Sequence, residues 1–286
     1  MRLQVYEVEG ERVLYVAQDD RWASLGPVDL TQLLRSGEAQ AQLADAVARA
    51  RPEATPPEGA VLRAPLPHPG KQVFVGVNYE DHVAELPPPW KKTADPFLFA
   101  KFQSAVIGSG EPIRLPAPES TVDYEGELLV VIGSRASRVT EAEALNHVLG
   151  YTIVNDVTER TLQATDNQLT WSKGMDTFCP MGPAIVLTDE IPDPRGLAIW
   201  TRVNGEERQR STTDGFIFSV PDLVSRVSRT VTLEPGDTLS TGTPGGVGYV
   251  KDPPVFLRPG DQVTVGVENI GELTNPVIAG WETALA

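Results

Sequence analysis

From Gln72 onward the chain is cut into seven short apolar runs punctuated by glycine and proline: VFVGV, FLFAKF, ELLVVIG, YTIVND, GPAIVL, LEPGDTLSTGTP and LRPGDQVTVGV. Runs this short and this rich in Val, Ile and Phe are strands rather than helices. The 25 glycines and 25 prolines supply the turns between them, and each PGD triplet reads as a tight turn feeding a strand. Helical patterns are few in this region, the clearest being Glu141–Leu149 and Pro221–Arg229. The spacing therefore predicts an α+β, β-rich fold, a sandwich or roll with few helices.

Residues 1–65 read as a separate small α/β domain preceding a main domain over residues 66–286. MRLQVYEVEGERVLYV gives two strands about a Glu-Gly turn. Leu30 to Arg51 then places Leu33, Leu34, Leu43 and Val47 at helical spacing. The Pro-rich passage from Pro52 through Pro69 reads as a stiff linker.

With 41% hydrophobic and 22% charged residues, the chain can bury an ordinary core. Its mean hydropathy of -0.17 and lack of a long apolar run argue against membrane insertion. The N-terminus lacks an apolar signal segment, so a cytoplasmic location is expected. One cysteine, Cys179, excludes a disulfide framework and a thiolate metal cluster. A net charge of -15 disfavours nucleic acid as a partner and requires any site for an anionic ligand to be locally positive.

In VDYEGELLVVIG, Asp123, Glu125 and Glu127 alternate at the head of a strand and so point the same way. Leu129 and Val131 continue that face, while Leu128, Val130 and Ile132 cover the other, so the strand runs into the core. Asp156 ends another apolar strand, YTIVND, and can reach the same point. Carboxylates gathered at the mouth of a buried strand repel one another unless compensated. A hard divalent cation would do this, and so would pairing of Glu125 and Glu127 with Arg or Lys; the spacing alone fits both.

The ordered blocks GVNYEDHVAE, PFLFAKF, VDYEGELLVVIG, GYTIVNDVTER, WSKGMDTFCPMGP, VNGEERQ and LSTGTPGGVG, spanning about residues 70 to 278, resemble the fumarylacetoacetate hydrolase family. Their order and spacing fit the acylpyruvase and oxaloacetate-processing branch. The resemblance implies a mixed β-sandwich roll of the C-terminal type found in that family, and a homodimer. It implies Mg²⁺ or Mn²⁺ held by Glu125, Glu127 and Asp156, with Asp123 lying behind them. It also implies Lys173 near the ion with Thr177 close by, and His82 with Glu85 as the catalytic pair.

A 2-oxo acid can chelate such an ion through its carboxylate and keto oxygens, which stabilises an enolate when a bond at the adjacent carbon breaks. Lys173 and, after it, Arg160 are candidates for neutralising the anionic substrate. His82 and Glu85 lie three residues apart, neighbours on a helical turn, where Glu85 would orient the imidazole for water activation. Thr243, in TGTPGGVG, is a candidate for the substrate carboxylate and Gln209 for a polar end of the substrate. The Gly-rich stretch lacks the lysine of a nucleotide loop. His68 and His147 read as structural. The stretch around residues 82–95, with Trp90, Lys91 and Lys92, reads equally as a lid or as a rigid surface loop.

The leading expectation is an enzyme of aromatic or sugar acid catabolism that hydrolyses a C–C bond in a 2,4-dioxo acid of acylpyruvate or fumarylpyruvate type. The same residues would also serve a decarboxylase, a tautomerase or a dehydratase of a 2-oxo acid. A metal-stabilised binding protein without turnover is the third alternative.

Overall fold

The computed structural model describes residues 1–86, 93–117 and 119–280. The chain opens as a meander of β1 (Arg2–Val8), β2 (Glu11–Gln18) and β3 (Arg21–Gly26). Glu9 and Gly10 both take positive φ, 52° and 86°, as a two-residue hairpin turn of this hand requires. Helix α1 (Leu30–Ser36) is capped by Asp29, whose carboxylate accepts from the Gln32 amide, and ends at Gly37 with φ 80°. Helix α2 (Ala39–Arg49) follows, so the helical pattern over Leu30–Arg51 is two helices with a left-handed glycine between them. The Pro-rich passage is not a free spacer. It carries β4 (Val61–Arg63), paired with β1, and buries Ala64 and Leu66.

Next come β5 (Gln72–Gly76), α3 (Glu80–Glu85), β6 (Phe97–Ala100), β7 (Val106–Ile107), β8 (Ile113–Arg114) and β9 (Val122–Asp123). The central elements are β10 (Gly126–Ile132), β11 (Val148–Asn155), β12 (Thr158–Glu159), α4 (Arg160–Gln163), α5 (Thr170–Lys173) and β13 (Cys179–Leu187). The chain closes with β14 (Ala198–Val203), β15 (Glu206–Thr212), α6 (Val220–Ser228), β16 (Thr238–Ser240), β17 (Gln262–Val267) and β18 (Gly271–Ile278). Ser219 caps α6 through the Asp222 amide, with Pro221 in its first turn. The pattern over Glu141–Leu149 yields only a 3₁₀ turn, Ala144–His147, because β11 takes over at Val148.

Among the described residues the large sheet runs β3-β2-β1-β13-β11-β10-β16-β5-β6, and a second sheet runs β15-β14-β17-β18-β8. Antiparallel pairs dominate, while β16–β5, β13–β7 and β18–β8 are parallel, giving the β-rich α+β fold expected from the spacing with the mixed sheets that the resemblance implies. The meander joins the large sheet where Arg2 and Leu3 pair with Val186 and Ile185. Its Leu3 and Leu14, with Leu33 of α1 and Leu43 of α2, share a core with Leu129, Val131, Val154 and Ile185.

Strand β10 is buried along its whole length. Leu128, Val130 and Ile132 enter the core between the sheets, while Leu129 and Val131 enter the core beneath the meander. That double burial leaves only its N-terminal end for polar groups. There the antiparallel register sets Gly126 opposite Asn155, and the Asp156 amide donates to the Glu125 carbonyl at 2.8 Å. The ends of the two strands thus bring three acidic side chains to one point.

Candidate metal centre

Glu125, Glu127 and Asp156 each offer a carboxylate oxygen within 4.8 Å of the other two, and all three are buried. The Glu125 amide donates to Asn155 Oδ1 at 3.0 Å, which ties the bend before β10 to the end of β11. Gly126 stands between the two glutamates because the second sheet crosses there: a Cβ at this position would lie 2.3 Å from Thr201 Oγ1 and 2.8 Å from Val265 Cγ1. The E-G-E pattern therefore combines two inward carboxylates with a close approach of the sheets.

The cluster is strongly charged. Lys173 Nζ donates to Glu125 Oε2 (2.9 Å), Asp156 Oδ2 (2.7 Å) and Thr158 Oγ1 (2.8 Å). Arg160 Nη2 reaches both Asp123 Oδ2 and Glu125 Oε1 at 2.7 Å. Burial pushes the Glu125 carboxyl up, but Lys173 and then Arg160 outweigh it and hold it down at about 2. Glu127 goes the other way: burial, then the charges of Asp156 and Glu125, raise it well above the usual carboxylate range. Its Oε2 is buried without a hydrogen-bond partner among the described residues. A carboxylate oxygen in that state is costly unless it is protonated or meets a cation. An all-oxygen donor set with one unsatisfied carboxylate oxygen fits a hard divalent ion such as Mg²⁺ or Mn²⁺.

Both readings of the acidic spacing thus hold in part: Glu125 is paired with Lys173 and Arg160, whereas Glu127 is left without a donor at Oε2. Asp123 lies one step out from the triad. It accepts from the amides of Tyr124, Gly248 and Tyr249 and from Arg160, so it anchors that arginine and the turn beneath it.

A cavity of about 170 Å³ opens on the cluster, lined by His82, Glu125, Glu127, Arg160, Lys173 and Thr243 among others. His82 is buried, and its Nδ1 is 2.7 Å from Glu85 Oε1. Glu85 Oε2 accepts from the Gly246 amide at 2.7 Å, and Asp81 accepts from the Gly245 amide at 3.0 Å. The Gly245 and Gly246 amides of this Gly-rich turn are thus taken up by the carboxylates of α3. The turn holds the His82–Glu85 pair in place.

Thr243 and Gln209 brace the backbone between the glutamates. Gln209 Oε1 accepts from the Gly126 amide at 3.0 Å, its Nε2 donates to Thr243 Oγ1 and the Pro244 carbonyl at 2.8 Å each, and Thr243 Oγ1 donates to the Gly126 carbonyl at 3.0 Å. Thr243 also lines the cavity; Gln209, expected to reach a polar end of a substrate, is 1% exposed with its amide engaged inside the protein. The Thr177 hydroxyl accepts from the Arg114 amide at 3.0 Å, and Thr177 does not line the cavity. His68 and His147 also lie outside that lining. Trp90, Lys91 and Lys92 of the suggested lid lie outside the described residues.

Two residues passed over in the sequence stand here. Tyr249 lines the cavity and stacks on Arg160, with the guanidinium carbon 4.2 Å from the ring centre. Lys101 Nζ donates to Asp156 Oδ1 at 2.5 Å. Its only signal in the sequence was a charge at the end of the aromatic run FLFAKF.

Residues 71–278 match the family described as fumarylacetoacetate (FAA) hydrolase, C-terminal. The protein named oxaloacetate tautomerase fahd2, mitochondrial, of Xenopus laevis is 40% identical over 254 residues, which is 88% of this chain and 79% of that one. The solved structure of the fumarylacetoacetate hydrolase EaFAH from psychrophilic Exiguobacterium antarcticum superposes with a TM-score of 0.84 at 36% identity, covering 98% of this chain and 99% of that one. Maleylpyruvate hydrolase from Sphingobium sp. SYK-6, solved in complex with manganese(II) and pyruvate, gives a TM-score of 0.79 at 28% identity, covering 98% and 100%.

Proposed function

Because the chain belongs to the fumarylacetoacetate hydrolase family, a family of enzymes, we propose that it uses a divalent metal to move protons beside the carbonyl of a small 2-oxo acid, with keto–enol tautomerisation of an oxaloacetate-type acid as its first reaction. The observation that carries this reading is one cavity lined by Glu125 and Glu127, the two glutamates of the carboxylate triad, and by a histidine whose Nδ1 is held by Glu85. The name of the Xenopus laevis relative favours tautomerisation over hydrolysis within it.

Glu125, Glu127 and Asp156 would hold Mg²⁺ or Mn²⁺, which when bound supplies the positive charge that polarises a 2-oxo group. Lys173 and Arg160 line the same cavity and provide positive charge for the substrate carboxylates. With Nδ1 of His82 donating to Glu85, Nε2 is the nitrogen that can accept a proton. In the enol-to-keto direction the enol oxygen loses a proton and the neighbouring carbon gains one. Nε2 is the group that takes and returns it. No bond between heavy atoms breaks, so no water has to be positioned.

A second reading, hydrolysis of a C–C bond in a 2,4-dioxo acid, draws support from the same His82–Glu85 pair and from the pyruvate held by the maleylpyruvate hydrolase. There His82 would take its proton from water attacking the distal carbonyl. A homodimer and a cytoplasmic location complete the proposal; among the described residues no helix is long and apolar enough to cross a membrane.

The deciding experiment is a turnover screen with Mg²⁺ or Mn²⁺ and an EDTA control, following decay of enol-oxaloacetate alongside release of pyruvate from acylpyruvates. Metal-dependent acceleration of enol decay without pyruvate release is expected. Pyruvate release as the faster reaction establishes the hydrolase reading instead, and no turnover of either class with either metal rejects both.

A further inference from the structure

Lys101 is a lysine whose side chain is 0% exposed, placed directly after β6 and outside the lining of the cavity. Its ammonium donates to Asp156 Oδ1 and to the Val157 carbonyl at 3.1 Å, and it lies 5.4 Å from the centre of the Phe74 ring. Asp156 is thus gripped from two sides, by Lys101 at Oδ1 and by Lys173 at Oδ2. Lys173 and Arg160 line the cavity; Lys101 does not. Burying a lysine that does not line the cavity is expensive, and its partner is one of the three carboxylates of the centre.

We propose that Lys101 is a positioning residue that sets the net charge of the centre from behind, and thereby governs how tightly an anionic 2-oxo acid is held there. This rests on the reading of the triad as a cation site. Asp123, Glu125, Glu127 and Asp156 supply four negative charges when ionised, against three positive ones on Lys101, Lys173 and Arg160. A dication then leaves the cluster with one net positive charge; without Lys101 it would be neutral. Lys101 is shielded from water, so its charge is poorly screened and acts on the cavity through Asp156. The same charge opposes the metal. Lys101 therefore trades cation affinity for anion affinity.

That trade separates the proposal from a merely structural role, which would weaken both ligands together. The test is calorimetric titration of metal-free protein with Mn²⁺, then of Mn²⁺-loaded protein with oxalate. Lys101→Gln keeps a donor toward Asp156 but removes the charge. It is expected to bind Mn²⁺ at least as tightly as the wild type and oxalate about tenfold more weakly. Lys101→Arg, which keeps the charge, should hold oxalate within about threefold of wild type. Parallel loss of Mn²⁺ and oxalate in folded Lys101→Gln, or unchanged oxalate affinity, overturns the proposal. If Lys101→Gln does not fold, Lys101→Arg decides: retained oxalate affinity supports the proposal and a tenfold loss overturns it. A wild type that binds no Mn²⁺ instead removes the cation site on which the inference stands.

Discussion

The three carboxylates of the centre owe their behaviour to different neighbours, and that difference is measurable. Glu125 is held at about 2 by Lys173 and Arg160, below its ordinary 4.5, so its contribution to stability is present above pH 4.5 and lost as pH falls towards 2. Glu127 is raised, so the metal-free fold favours its protonated form; that stability is full below the ordinary carboxylate range and is lost as pH rises through the raised value. A bound cation replaces the proton. Mn²⁺ should accordingly raise the melting temperature more at about pH 8 than at about pH 5.5; an equal or smaller rise at the higher pH would show that Glu127 is not the group being satisfied. His82→Ala should lower turnover by about 10² or more while leaving Mn²⁺ affinity unchanged, since the imidazole moves protons and does not contribute to the triad. The triad was legible because strand alternation and a strand end are local signals. Lys101 was not, because its partner Asp156 lies 55 residues away and only the fold brings them together.

At the scale of elements, the site depends on two close approaches. One is the crossing of the second sheet over Gly126, where any side chain meets Thr201 and Val265. Gly126→Ala is expected to destabilise the protein by about 1–3 kcal/mol, read from the denaturant midpoint, with metal affinity falling as Glu125 and Glu127 are displaced; a midpoint equal to wild type would remove the crossing as a constraint. The other is the docking of α3 on the turn at Gly245–Gly246, which orients Glu85. The strands carrying the triad were readable from their apolar runs. The boundary at Gly37 and the short 3₁₀ turn before Val148 were not read, because a left-handed glycine and a neighbouring strand override helical spacing. The roles of Gln209 and Thr243 were hidden for a similar reason: one reaches the Gly126 peptide from the second sheet and the other from the turn after β16, and sequence spacing carries no trace of either contact.

At the scale of the whole molecule, the N-terminal meander and the large sheet share hydrogen bonds and a core. The composition shift near residue 65 marks a change in texture, while the pairing of β1 with β13 is a long-range contact that no local pattern announces. A single cooperative thermal transition is expected, with removal of residues 1–65 exposing Leu129, Val131 and Ile185 and costing solubility. Two separate transitions would show that those residues fold on their own. Against a net charge of -15, Lys101, Lys173 and Arg160 are gathered at one buried point. The claim on which the rest depends is that one cation sits among Glu125, Glu127 and Asp156. Calorimetric titration with Mn²⁺ tests it most directly. Wild-type protein should bind one ion per chain, and Glu125→Gln, Glu127→Gln and Asp156→Asn should each weaken it by at least about tenfold; unaltered binding in all three folded variants would contradict it.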